Sequence, residues 1–143
     1  MNFSQSIVLA SALLWWPCIG QAQSRDLNDL QERCRKQAEE RFQQTFVKRV
    51  LETDRYRSSF DFENHYSVRL NKCFYLVTNN IFLKSSDQSG KSMWLHDVNN
   101  NTPYQYYGEY THQLGLLRLC EVTGKQCRSE EEWRELIKPF MED

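Results

Sequence analysis

Three histidines, His65, His96 and His112, carry the most versatile chemistry in this sequence, because an imidazole can act as an acid, a base or a metal ligand. None has another histidine, a cysteine or an acidic residue at the spacing of a metal-binding motif. We therefore expect surface or structural histidines, no metal and no cofactor. His65 is the first candidate for a functional role, because it lies in a polar segment shortly before a cysteine.

No motif for a catalytic nucleophile accompanies these histidines. The sequence has no Gly-x-Ser-x-Gly elbow, and its five glycines are isolated, so it has no phosphate-binding loop either. The sequence predicts no catalytic residue. One enzymatic alternative stays open: a small hydrolase in which His65 or His112 works with a carboxylate from elsewhere in the fold.

Aromatic residues give the clearest local sign of binding. Four of the seven residues from Tyr104 to Tyr110 are tyrosines. On a strand, Tyr104, Tyr106 and Tyr110 share one face, which we expect to pack against the long helix described below. Tyr107 and Trp94 are then the exposed aromatics, available as a platform for a glycan or a peptide. The candidate binding residues are Trp94, Tyr107 and His65.

The cysteines predict two disulfide bonds. One of the five belongs to the apolar leader, and the remaining four suit an oxidising compartment, since no Cys-x-x-Cys occurs. A Thr-Gly pair between Cys120 and Cys127 is typical of a two-residue hairpin turn, which places these two cysteines opposite each other. Cys34 then pairs with Cys73.

The leader is typical of a secretory signal peptide. The apolar run Ile7 to Trp16 is too short for a membrane span, which needs roughly 20 apolar residues, but fits a signal core of roughly 7–15. Gly20-Gln21-Ala22 is a cleavage site, so the sequence predicts a signal peptide at 1–22 and one disulfide-braced domain at 23–143. Lipidation of Cys18 is disfavoured by its bulky neighbours. The expected location is periplasmic or secreted.

Composition excludes some partners. The chain has 18 basic and 19 acidic residues and a net charge of −1, which argues against a nucleic-acid partner. No later segment is apolar enough to span a membrane. The length of the mature part fits a single domain.

Two helices are predicted, one at each end of the mature domain. An apolar stripe at steps of three or four runs along the first, from about Asp26 to Val50. The stripe consists of Leu27, Leu30, Cys34, Ala38, Phe42 and Phe46. Ser129 and Glu132 form a capping box that begins a short second helix, which Pro139 ends.

Strands fill the middle of the chain. The segment 60–70 is ambiguous between helix and strand, and we favour a short helix that ends at a left-handed Asn71. The predicted strands are Cys73 to Leu83 as one or two strands, Met93 to His96, Tyr104 to Tyr110, and Leu114 to Val122, the last covered on both faces. This order predicts an α+β fold, with the long N-terminal helix and the short C-terminal helix packed on one face of an antiparallel meander of about four strands.

Several short motifs of this sequence resemble those of a group of small exported bacterial proteins with two predicted disulfides and no known activity. They are Cys34; His65-Tyr66; Leu70-Asn71-Lys72-Cys73-Phe74; Leu95-His96-Asp97; Tyr107-Gly108-Glu109-Tyr110; and Cys127-Arg128-Ser129-Glu130-Glu131-Glu132-Trp133. The resemblance covers most of the mature chain. It implies a bacterial, periplasmic setting.

The expected function is binding without catalysis. We expect an exported, periplasmic protein that binds a protein partner or an envelope component. The alternatives are the hydrolase above and an inhibitor of a secreted hydrolase. An inhibitor would need a protruding loop, for which Ser85 to Gly90 and Asn99 to Pro103 are the candidates.

Overall fold

The computed structural model describes residues 19–100, 107–113 and 115–142. They form helix α1 (Ile19–Thr45), strands β1 (Val50–Glu52), β2 (Tyr56–Ser67), β3 (Lys72–Leu83), β4 (Gln88–Asp97), β5 (Gly108–Gln113), β6 (Leu116–Val122) and β7 (Lys125–Gln126), and helix α2 (Glu130–Met141). Most of the predicted signal peptide lies outside the described residues. Its expected cleavage point, after Ala22, falls inside α1.

The strands form one antiparallel sheet in which each strand pairs with the next along the chain. The order β1 to β7 is sequential, so the predicted meander is correct, but the sheet has seven strands instead of about four. The additional strands include the very short edge strands β1 and β7, and β2, which comes from the ambiguous segment.

The two helices lie on opposite faces of the sheet, and the prediction that they share one face is wrong. Strand β3 shows why, because it is apolar on both sides. Cys73, Tyr75 and Val77 belong to the core under α1, whereas Phe74 and Leu76 belong to the core under α2. Each apolar face needs its own cover, so each helix takes one. We call these sides the α1 face and the α2 face.

Helix α1 ends at Thr45, five residues before the predicted end. The apolar stripe continues as predicted through Cys34, Ala38 and Phe42, which are buried. Beyond the helix, Val50 pairs with Ser59 as the first residue of β1. Pairing with the sheet therefore takes residues that the sequence pattern assigned to the helix.

The ambiguous segment 60–70 is a strand, and the preference for a short helix is wrong. Strand β2 pairs with β3 over its whole length, from Tyr56 opposite Leu83 to Ser67 opposite Lys72. Asn71 does adopt the predicted left-handed conformation, with φ 50°, but in the turn between these two strands. Long-range pairing with β3 outweighs the helical spacing of a few apolar residues.

The C-terminal helix begins as predicted, but it continues through Pro139 to Met141 and does not end at the proline. The Ser129 side chain accepts a hydrogen bond from the Glu132 backbone N–H at 3.2 Å, and Glu132 Oε2 accepts one from Arg128 N at 2.8 Å. Trp133 and Ile137 are buried on the inner side of α2. Tyr110 of β5 packs against Trp133, with ring centroids 6.3 Å apart, and not against the long helix as predicted.

Both predicted disulfide pairings are confirmed. Cys34 of α1 is bonded to Cys73 of β3, with Cα atoms 5.3 Å apart, so the bond joins the long helix to the sheet. Cys120 is bonded to Cys127 across the β6 to β7 hairpin, with Cα atoms 5.0 Å apart.

Candidate binding surface

Strand β6 exposes a group of leucines at the border of the sheet. Leu116, Leu117 and Leu119 are 55%, 36% and 42% exposed. The prediction that this strand is covered on both faces is therefore wrong. Large apolar side chains clustered at a protein surface are more informative than single exposed ones, because such patches mark interaction sites.

The outer side of β6 is only partly covered by another strand. Within the described residues, β7 pairs with β6 at Glu121 and Val122 alone, and Cys127 N donates to Cys120 O at 2.9 Å. Among the residues that the structure describes, 116–119 therefore have β5 on one side and no strand on the other. We call residues 116–119 the leucine edge.

The hairpin turn and the disulfide hold this arrangement in place. Thr123 and Gly124 both adopt positive φ, 48° and 81°, as a tight two-residue hairpin turn requires. The turn lets β7 pair for only two residues before the chain leaves for α2. The bond from Cys120 to Cys127 then ties the end of β6 to the start of that segment.

A bulge distributes the leucines over both faces of the sheet. The pairing of β5 with β6 shifts between Thr111 and His112, so that Leu117 faces His112 while Leu119 faces Thr111. Tyr110 lies on the α2 face, and His112, two residues further along β5, therefore lies on the same face. Leu117 is opposite His112 and so lies there too. Leu119 and Leu116 lie on the α1 face.

A cavity of about 570 Å³ adjoins Leu117 on the α2 face. It lies between the end of β5 and the start of α2. Its lining residues are Lys91, Tyr110, His112, Gly115, Leu117, Arg128, Ser129, Glu130 and Glu131.

Glu130 is the best-held charge in this cavity. Lys91 Nζ lies 2.6 Å and Arg134 Nη2 2.9 Å from Glu130 Oε1. Burial opposes ionisation of this carboxyl, but the hydrogen bonds from Lys91 and Arg134 outweigh it and keep the pKa of Glu130 below its ordinary value. Burial, followed by the charges of Glu130 and Glu131, raises the pKa of Tyr110. Glu130 is thus occupied as an ion-pair partner.

The three histidines do not come together. His65 lies on the α2 face opposite Phe74. The register places His112 level with Ser59 of β2, six residues from His65, which at roughly 3.3 Å per residue is about 20 Å along the strand direction. His96 lies on the α1 face, stacked on Tyr75 with ring centroids 4.6 Å apart, and burial lowers its pKa to about 4.

The other two candidate binding residues do not form a common platform. Trp94 is half-buried beside the core under α1. Tyr107 lies on the opposite side, where its ring packs against Phe74 and Phe140 with centroids 5.3 and 5.5 Å away. Tyr104 and Tyr106, which were predicted to pack against the long helix, lie outside the described residues.

A charged cluster that the sequence did not indicate holds Tyr107 in place. Lys72 Nζ contacts Asp97 Oδ2 at 2.8 Å and the Tyr107 hydroxyl at 2.9 Å. The hydrogen bonds to Asp97 and Tyr107 raise the pKa of Lys72. The cluster connects β3, β4 and the approach to β5, which is a structural role.

The loop candidates for an inhibitor find little support. Residues 84–87 form a tight turn and β4 begins at Gln88, so Ser85 to Gly90 does not protrude as a long loop. The segment Asn99 to Pro103 lies partly outside the described residues. The sequence did not predict the leucine edge as a binding surface, although consecutive leucines without alternation were a signal for it.

Two further properties concern the described residues only. No three histidine, cysteine or acidic side chains among them are grouped so as to hold a metal ion. No helix there combines the length and apolar character that crossing a membrane requires.

Comparison with family models, with curated proteins and with solved structures found no match to this chain. The resemblance to small exported bacterial proteins therefore stays a prediction.

Proposed function

We propose that the protein is a non-catalytic binding protein that works outside the cytoplasm and captures an extended segment of a partner protein at the leucine edge. The observation that carries this proposal is the coincidence of exposed leucines with a strand side that has no strand partner among the described residues. Natural sheets usually protect such edges, because exposed backbone groups pair readily with another chain.

Backbone pairing would supply the general affinity. An extended segment that runs along residues 116–119 can exchange main-chain hydrogen bonds with β6, as peptides do in other strand-addition complexes. The bulge between Thr111 and His112 changes the direction of the strand there, so the segment pairs over a short length.

Side chains would supply the selectivity. Leu116 and Leu119 offer apolar contacts on the α1 face, while Leu117 offers one on the α2 face, so alternating apolar residues of the partner meet leucines on both sides. Arg118 is exposed within the edge, and Arg128 lines the cavity beside Leu117. These arginines favour an acidic residue between the apolar ones.

The two disulfides support an extracytoplasmic setting, since such bonds persist in oxidising compartments. The bond at Cys120 also braces the end of the leucine edge. A rigid edge loses less entropy on binding than a flexible one, which increases the affinity.

The hydrolase alternative has less support. His112 shares a cavity with Glu130, but that carboxylate is held by Lys91 and Arg134. A catalytic histidine that serves as a base is oriented by a third group, and no hydrogen bond between His112 and Glu130 is present among the described residues. A hydrolytic activity of the purified protein that His112→Ala abolished without unfolding would reverse this preference.

The test compares a double variant of the leucine edge with a single variant elsewhere on the surface. The immobilised mature protein is used to capture partners from an envelope extract, and a purified captured partner is then titrated against each variant. Leu116→Ser with Leu119→Ser should weaken binding at least tenfold. Val47→Ser, at a residue 86% exposed in the link before β1, is the matched control and should leave binding unchanged.

Hydrogen exchange locates the contact. The proposal requires the partner to protect backbone amides of residues 116–119. Absence of any captured partner, protection confined to another surface, or equal binding by the leucine and valine variants would each contradict it.

A further inference from the structure

A second surface with a different character lies on the α2 face, beyond the start of α2. Two rows of side chains cross the sheet there, in register over several strands. One row is Ser59, Asn80, Lys91 and His112, and the next is Arg57, Phe82 and Ser89. We call these seven residues the polar platform.

Helix α2 leaves the polar platform uncovered because of where it begins and where it runs. Its first residue, Glu130, is bound to Lys91 at the border of the platform. Near the other end, the Arg69 guanidinium donates to the Pro139 carbonyl at 2.8 Å, beside the turn between β2 and β3. The helix therefore runs away from the platform along the strands.

The surface is concave and carries positive charge. The platform residues line a cavity of about 380 Å³, and no carboxylate is among the lining residues. Lys91 is compensated by Glu130 at the border, so Arg57 is the main source of the charge. Glu52 lies opposite Arg57 in the pairing of β1 with β2, and its carboxylate is bound by Lys84 Nζ at 2.9 Å.

The composition of the platform is that of a site for hydroxyl-rich ligands. Two serines and an asparagine present groups that both donate and accept hydrogen bonds. Phe82, 42% exposed, is the aromatic side chain among them. An aromatic ring amid polar groups offers an apolar face to a ligand whose edge is polar.

We propose that the polar platform binds an anionic saccharide chain, with a carboxylated sugar held by Arg57. Arg57 makes a two-point contact with the sugar carboxylate, as the planar guanidinium allows. The Phe82 ring packs against the C–H face of the sugar. The serines and Asn80 pair with ring hydroxyls.

The row from Ser59 to His112 crosses four strands, which at roughly 4.8 Å between strands is about 14 Å. This width accommodates more than one sugar unit of a chain. Single-stranded nucleic acid fits less well, because proteins that bind it usually offer several stacking aromatics and a strongly basic groove. The platform has one aromatic residue, and the whole chain has a net charge of −1.

The experiment is isothermal titration calorimetry of the mature protein with three separate ligands. They are a short galacturonic acid oligosaccharide, its methyl ester and a short oligothymidylate. We expect saturable binding of the free acid, at least tenfold weaker binding of the methyl ester, and no comparable binding of the oligothymidylate. Arg57→Gln should weaken binding of the acid about tenfold and remove the preference over the ester. Phe82→Ala should weaken binding of both sugars to a similar degree.

Arg55→Gln is the matched control, because it removes an equal charge from the exposed turn before β2, outside the lining of the cavity. Near-ultraviolet circular dichroism shows that each variant is folded. The proposal is overturned if no saturable binding of the acid occurs, if Arg55→Gln and Arg57→Gln have the same effect, or if oligothymidylate binds more tightly than the sugar.

Discussion

Removal of the disulfide between Cys34 and Cys73 should destabilise the protein far more than removal of the bond between Cys120 and Cys127. The first bond connects helix α1 to the centre of the sheet, and the second closes a small hairpin. All four cysteines are buried, so replacing either pair by alanine removes a similar amount of packing. The difference between the two double variants therefore reports mainly the length of the loop that each bond closes.

The size of this difference follows from loop length. In the chain-entropy model, a disulfide restricts the unfolded chain by an amount that rises with the logarithm of the loop it closes. The sequence separations of 39 and 7 then correspond to about 3.9 and about 2.4 kcal/mol. We expect the double variant Cys34→Ala/Cys73→Ala to lose about 1.5 kcal/mol more than Cys120→Ala/Cys127→Ala.

Equilibrium unfolding in urea, followed by tryptophan fluorescence, measures both losses against the oxidised parent. Non-reducing peptide mapping of each variant confirms that the remaining bond has its native pairing. Equal losses, or a larger loss for the hairpin pair, would refute the reasoning, because the longer loop would then not control the stability of the unfolded chain.

Three other perturbations test the packing and electrostatics. Burial lowers the pKa of His96 from 6.5 to about 4, so the stability that the neutral imidazole contributes is fully present above pH 6.5. As the pH falls from 6.5 toward 4, the unfolding free energy should decrease by up to about 3 kcal/mol. His96→Leu should flatten this part of the curve of unfolding free energy against pH, and an unchanged slope would contradict the expectation. Trp133→Ala should lower the free energy of unfolding in urea by about 3–5 kcal/mol, because Trp133 is fully buried in the core under α2. Trp94→Ala should lower it by less, because Trp94 is only half-buried. The reverse order would be evidence against this core. Ser129→Ala removes the N-cap of α2 and should lower the unfolding free energy by about 1 kcal/mol, which thermal unfolding measures as a lower midpoint. An unchanged midpoint would show that the hydrogen bond to Glu132 N is dispensable.

Features that depend on neighbours along the chain were predictable. The capping box at Ser129 and the hairpin at Thr123 each involve residues only a few positions apart. The pairing of Cys120 with Cys127 followed from that hairpin, and elimination then assigned Cys34 to Cys73. The buried stripe of α1 was also readable, because helical periodicity is a local property.

The candidate site was not predictable in the same way. Trp94, Tyr107 and His65 were chosen by residue type, and the structure places them on different sides of the sheet. The leucines of β6 were assigned to the interior because the strand is apolar at both odd and even positions, which is typical of a strand covered on both faces. Whether a strand lies at the centre or the edge depends on how all the others pair, which no short segment encodes.

What the sequence determined by itself is therefore the local framework: the two helices, the hairpin and the pairing of the four cysteines. The tertiary structure decided that residues 60–67 extend into β2, that the helices cover opposite faces, and that Leu116, Leu117 and Leu119 meet solvent. The physical reason is the range of the interactions. Caps, turns and periodicity act over a few residues, whereas strand pairing and the covering of a sheet face join residues far apart in the chain and outweigh weak local preferences.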